Sequence, residues 1–134
     1  MQGARILWVE KEQFLVTSPS GHAIAFDANR ERNSGPGPME MLLGALGACT
    51  ATDVVAILKK KRQHLAGLEV MVSGERASTP PAVWTKIDVL YRLKGNLDDK
   101  AVRDAIELSQ NKYCSVSAML GKVASISYRY EIER

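Results

Sequence analysis

From Met39 to Leu58 the chain reads MEMLLGALGACTATDVVAIL, with Glu40 and Asp53 as its charged residues, and this stretch constrains the fold more than any other. Its length is about the twenty residues that a bilayer span requires. Each acid would cost roughly 3 kcal/mol near a bilayer centre, while Gly44, Gly47 and the alanines supply little in return. A helix in the interior of a protein fits better. Pro38 suits the first turn, Glu40 complements the positive end of the helix dipole, and Lys59-Lys60-Lys61-Arg62 complements the carbonyl end. A helix is therefore predicted from Pro38 to about Arg62. Gly44 and Gly47 each cost about 1 kcal/mol relative to Ala inside a helix. With Ala48 and Ala51 they form a small-residue seam on which another backbone could pack closely. Apolar residues occupy nearly every face, so the helix has to be covered by a sheet and by something else.

The flanking segments read mostly as strands. Arg5–Val9 and Gln13–Thr17 are β-prone runs around the charged turn Glu10-Lys11-Glu12, and Ser18-Pro19-Ser20-Gly21 turns the chain into a third run, His22–Phe26. From Asp27 to Pro38 the composition predicts a loop carrying Arg30, Glu31 and Arg32, with a solvated face as the plain role of these charges. Leu68–Val72 begins the next strand, and Thr79-Pro80-Pro81 breaks it. Val83, Thr85, Ile87, Val89, Tyr91 and Leu93 then alternate with more polar neighbours, as in a strand with one face buried. Asp98 can cap a helix through Ala101 to Leu108, and a second short helix is predicted to include Cys114 to Leu120. Ala124, Ile126, Tyr128, Tyr130 and Ile132 mark a closing strand. The order β-β-β-α-β-β-α-α-β is α+β, and residues 1–134 suit a single domain.

A net charge of +3 is smaller than the Lys59–Arg62 cluster alone, which argues against a nucleic-acid partner. The N-terminus lacks a long apolar segment and reaches an acid at Glu10, so the expectation is a cytoplasmic protein with no membrane association. Cys49 and Cys114, 65 positions apart, form neither a disulfide framework nor a CxxC motif. A zinc site would have to draw on His22 and His64, which read as surface residues, so no metal is expected. In a reducing compartment a lone cysteine is most often a small hydrophobe.

The segments GPGPME, GALGACTATDVV and KYCSVS, with one cysteine in the central helix and one near a late short helix, resemble the osmotically inducible protein C and organic hydroperoxide resistance (OsmC/Ohr) family across nearly the whole length. The chain looks most similar to a less characterised branch in which Pro-Met-Glu precedes the cysteine helix. The resemblance implies an intertwined homodimer whose central helices are wrapped by the sheets of both chains, with two sites at the interface. It also implies that Cys49 attacks the peroxide O–O bond and becomes a sulfenic acid, which Cys114 condenses into a disulfide. An external dithiol, of lipoyl type in some members, then reduces the pair, and no bound cofactor is needed. A small apolar hydroperoxide, or another apolar ligand, is expected at an interface lined by Met and Leu.

Chemistry of this kind needs a thiolate. An unperturbed thiol is only about 3% ionised at pH 7, and burial lowers that fraction. Bringing Cys49 to a pKa near 6 would take roughly 3.4 kcal/mol of preferential thiolate stabilisation, and Asp53, four residues along the same helical face, would act in the opposite sense. Family members supply an arginine from the N-terminal hairpin, held by a glutamate directly after the proline. Here Met39 occupies the glutamate position, Glu40 falls one residue late, about 100° round the helix, and the hairpin offers Lys11, which lacks the planar fork of arginine. Arg30 and Arg32 could substitute from the loop. A helix starting near Lys112 would favour a thiolate at Cys114; alternatively Cys114 packs beside Tyr113 and Val116. Three readings follow: a thiol-dependent peroxidase that prefers organic hydroperoxides, a non-enzymatic binding or redox-sensing protein, and a fold in which both cysteines are core residues.

Overall fold

The computed structural model describes all 134 residues as two compact units, residues 1–42 and residues 43–134. In the first unit, strands β1 (Arg5–Glu10), β2 (Gln13–Thr17) and β3 (Ala23–Asp27) form an antiparallel sheet in that order. Lys11 adopts a left-handed φ of 46° in the two-residue Lys11-Glu12 turn, the conformation that closes a tight hairpin between right-twisted strands. Ile6, Leu7, Trp8 and Val9 of β1 are exposed within the chain.

Asp27, expected to open the loop, instead ends β3 and is fully buried. The following loop is organised around it. Arg32 donates from Nε and Nη2 to the two Asp27 oxygens at 2.9 and 3.0 Å, and Ser34 and Asn29 add backbone donors. A buried carboxylate requires such partners. Arg32 is thus a structural clamp, where the sequence suggested a solvated charge.

Helix α1 (Pro38–Lys60) stops two residues before the expected Arg62. Arg62 takes a left-handed φ of 57°, and Gln63 N–H donates to Leu58 O at 2.9 Å, which is the Schellman way of satisfying the last carbonyls. Within residues 43–134, Leu46, Thr50, Val54 and Leu58 recur every four residues and make one buried stripe with Gly47. The stripe lies on a second sheet, β4 (Gly67–Arg76), β5 (Trp84–Lys94) and β6 (Ser125–Glu133), in which β5 is central. Ile87, Val89, Tyr91 and Leu93 of β5 are buried on alternate positions, as the period-two pattern predicts. A Cβ at Gly47 would lie 3.1 Å from Val72 Cγ2, so glycine lets the helix approach β4 closely.

Strands β4 and β5 are antiparallel, whereas β5 and β6 are parallel and need a crossover. The crossover comprises α2 (Asp99–Leu108), a π-helical turn (Ser109–Tyr113) and α3 (Ser115–Leu120). Asp98 caps α2, its carboxylate accepting from Ala101 N–H at 3.0 Å, and Val102, Ala105 and Ile106 pack into the core. The order of elements matches the sequence expectation. The opposite face of α1 does not meet the sheet: Gly44, Ala48, Thr52 and Ala56 are exposed within the chain.

Candidate functional site

Cys49 precedes the buried Thr50 on α1 and is itself partly buried, packed against the core. Cys114 is 3% exposed. It does not lie inside the second short helix as expected. It is the N-cap of α3, with extended backbone, and its own N–H closes the π-helical turn on Ser109 O at 2.8 Å. Lys112 accordingly sits in that turn and not at a helix start, its ammonium 5.3 Å from the centre of the Tyr113 ring.

The two thiols are close enough to interact with one another. Burial pushes the Cys114 thiol up to about 11, and the neighbouring Cys49 and Asp53 push in the same direction, against a hydrogen bond from Ser117 N–H to Sγ at 3.4 Å. Desolvation outweighs the cap: one N–H donor replaces less than the hydration shell a thiolate would lose. The expectation of a helix start that ionises Cys114 is therefore overturned. The opposing influence of Asp53 is present, and it is felt at Cys114.

A chain of polar side chains runs beside the sulfurs. Ser109 Oγ donates to Asp53 Oδ2 at 2.9 Å and lies 2.7 Å from Thr50 Oγ1, which is 2.6 Å from the Tyr91 hydroxyl. Gln110 Nε2 donates to that hydroxyl at 2.7 Å, and Ser117 Oγ donates to Gln110 Oε1 at 2.6 Å. Burial raises the Tyr91 pKa above its ordinary value, so this hydroxyl remains protonated. Sequence reasoning missed all of these but Asp53. The signals that could have found them were a tyrosine on the buried face of β5, which has to find a polar partner, and a threonine inside an apolar helix.

The N-terminal candidates belong to residues 1–42. Glu40 is more than a first-turn acid: its Oε1 accepts from Gly37 N–H at 2.7 Å, the backward half of a capping box, and pairs with Arg30 Nη1 at 3.0 Å. Arg30 also donates to Asn33 Oδ1 and to the carbonyls of Asp27 and Gly35. Arg32 is held by Asp27, with Glu12 at 3.6 Å. Lys11 stands exposed at the hairpin tip, where its carbonyl accepts from Trp8 Nε1.

Residues 31–129 match the model of the OsmC-like protein family. Protein YhfA of Escherichia coli K12 is 45% identical over 130 residues, spanning 96% of each chain. A hypothetical protein from Aquifex aeolicus VF5 superposes with a TM-score of 0.86 at 31% identity, covering 100% of this chain and 98% of that one. The organic hydroperoxide resistance protein OhrB of Bacillus subtilis shares the fold at a TM-score of 0.65 and 15% identity, over 96% of this chain and 98% of its own.

Proposed function

The chain belongs to the OsmC-like protein family, and from that premise we propose that it is a thiol-dependent peroxidase acting on organic hydroperoxides through Cys49 and Cys114. The observation that carries this reading is that Cys49 acts on the Cys114 thiol from 65 positions away and is the more accessible of the two. In the first step the Cys49 thiolate attacks the outer peroxide oxygen: an S–O bond forms, the O–O bond breaks, and the alkoxide leaves and takes a proton to become the alcohol. Cys114 then attacks the Cys49 sulfur, an S–S bond replaces S–O, and water leaves. An external dithiol restores both thiols by two successive exchanges. The division of labour suits the surroundings, since a buried thiol pushed up to about 11 is a poor competitor for peroxide and remains available as the second partner.

Within residues 1–42 the Arg30–Glu40 pair is a held guanidinium of the kind that the family resemblance calls for, which Lys11 and Met39 are not. Exposed Tyr113, Met119 and Val123 offer apolar surface on the Cys114 segment for an organic tail. The open Gly44–Ala56 face of α1 and the uncovered β1 side chains support a homodimer, and a cytoplasmic location completes the reading. A second reading, a non-enzymatic binding or redox-sensing protein, is favoured by one observation: the Arg30 guanidinium already serves four acceptors of its own unit.

Turnover of cumene hydroperoxide with dihydrolipoamide near neutral pH separates them. The peroxidase consumes the hydroperoxide far faster than a free thiol does. Cys49→Ser abolishes turnover, Cys114→Ser stops after one event with a sulfenic acid open to overoxidation, and Arg30→Ala slows the first step. Turnover at the free-thiol rate would transfer the assignment to the binding protein.

A further inference from the structure

The direction of every hydroxyl proton in the chain beside the sulfurs follows from its ends. An ionised carboxylate only accepts, so Ser109 gives its single O–H to Asp53 and must accept from Thr50. Thr50 has then used its proton and must accept from Tyr91, whose oxygen accepts in turn from the Gln110 amide. The Gln110 carbonyl is left to receive Ser117 O–H. Reversing the Gln110 amide would leave one of the two oxygen–oxygen contacts at Thr50 without a proton. Asp53 therefore selects a single arrangement for groups that could otherwise point either way.

The members of this chain bracket both cysteines. Thr50 follows Cys49 on α1, Ser109 and Gln110 precede Cys114 in the π-helical turn, and Ser117 follows it in α3 while its N–H holds Sγ. Thr50, Tyr91 and Ser109 are fully buried, and no buried side-chain polar atom is left without a partner. Removing one link strands a hydroxyl away from water, which the local structure relieves by moving. What moves is the fastening between the elements that carry the sulfurs.

We propose that Thr50 and Asp53 are positioning residues for disulfide closure: their hydrogen-bond chain, through Ser109, Tyr91 and Gln110, holds the Cys114 turn where its sulfur can reach Cys49. This rests on the reading that Cys114 resolves Cys49, but its test does not require peroxidase activity. Dithiobis-nitrobenzoate serves as the oxidant. The Cys49 thiolate attacks the aryl disulfide, forming a mixed disulfide and releasing one coloured aryl thiolate. Cys114 then loses its proton to solvent and attacks the Cys49 sulfur, releasing the second. The two releases separate attack from closure in one absorbance trace of the full-length protein.

Thr50→Val keeps the side-chain shape and deletes the hydroxyl. It is expected to slow the second release at least tenfold and leave the first within about twofold, while Thr50→Ser restores wild-type closure. Asp53→Asn, at the partly exposed end of the chain, removes the charge that orders the protons; it slows closure severalfold and remains informative should Thr50→Val not fold. Closure at the wild-type rate in Thr50→Val or in Asp53→Asn overturns the proposal. Faster closure also overturns it, because the chain would then be a restraint. If Thr50→Ser is as slow as Thr50→Val, packing and not the hydroxyl is responsible, and the proposal is overturned in that case too. A wild-type protein that closes the disulfide but does not turn over peroxide would retire the peroxidase reading and leave the positioning role standing.

Discussion

Gly44→Ala tests whether the open face of α1 is covered by a second copy of the chain. Two glycines interrupt the helix, and each costs about 1 kcal/mol relative to Ala. At Gly47 the reason is visible, since a Cβ would stand 3.1 Å from Val72. At Gly44 nothing lies within 4 Å of the added atom. In an isolated chain the substitution should therefore be a plain gain of about 1 kcal/mol, or roughly 4 °C in Tm for a domain of this size. In the proposed homodimer the glycine admits a close approach by the partner. The added methyl then weakens association by more than the helix gains, and a loss of about 1.4 kcal/mol raises the dimer Kd tenfold. Sedimentation equilibrium over a dilution series measures that constant, and thermal unfolding at fixed concentration measures the helix term. The expected result is a Kd raised tenfold or more. A variant that is simply more stable, with unchanged association or as a folded monomer like the wild type, would refute the reasoning.

When iodoacetamide labelling of Cys49→Ser is followed across pH by mass spectrometry, Cys114 should alkylate with a midpoint above the value of about 8.5 for an unperturbed thiol, because burial persists although the push from Cys49 is gone. A raised thiol pKa means that the fold binds this proton more tightly than the unfolded chain does. Its stabilising effect is therefore full below the unfolded pKa and is lost as pH rises through the folded one, whereas a midpoint near 8.5 would contradict a buried thiol. Asp27 has the opposite sign. Arg32 and Ser34 hold its carboxyl well below the usual carboxylate range, so its stabilisation is present above the unfolded pKa and fades as pH falls below it. Asp27→Asn should be less stable than wild type to urea at pH 7, with the gap narrowing below about pH 4; a gap that does not change with pH would show that the Arg32 pair contributes nothing through charge.

Much of the fold was legible because local patterns dictated it. Ile87, Val89, Tyr91 and Leu93 alternate on β5, Asp98 caps α2, and Pro38 opens α1. Boundaries were less secure where a single side chain decided them. Arg62 ends α1 through a left-handed conformation that its identity does not announce, and Cys114 caps α3 because a π-helical turn precedes it. Asp27 read as the start of a loop because the segment it opens is polar and rich in Gly and Pro. Its burial depends on Arg32 arriving from five residues away.

The site divides along the same line. Residue chemistry alone left Cys49 and Cys114 as small hydrophobes, and the apolar stretch around Cys49 placed it on a long, enclosed helix; it was the resemblance to the family that marked the two cysteines as a reactive pair. It also marked Glu40 and Arg30 separately, without their pairing at 3.0 Å. Proximity belongs to the tertiary structure. The parallel crossover from β5 to β6 carries the Cys114 turn to α1, and there Thr50, Tyr91, Ser109 and Gln110, from three separate segments, become one hydrogen-bonded chain. Whether a buried thiol is ionised, or a buried hydroxyl is satisfied, depends on desolvation and on partners many residues distant. Those are properties of assembled surroundings, and no short stretch of sequence contains them.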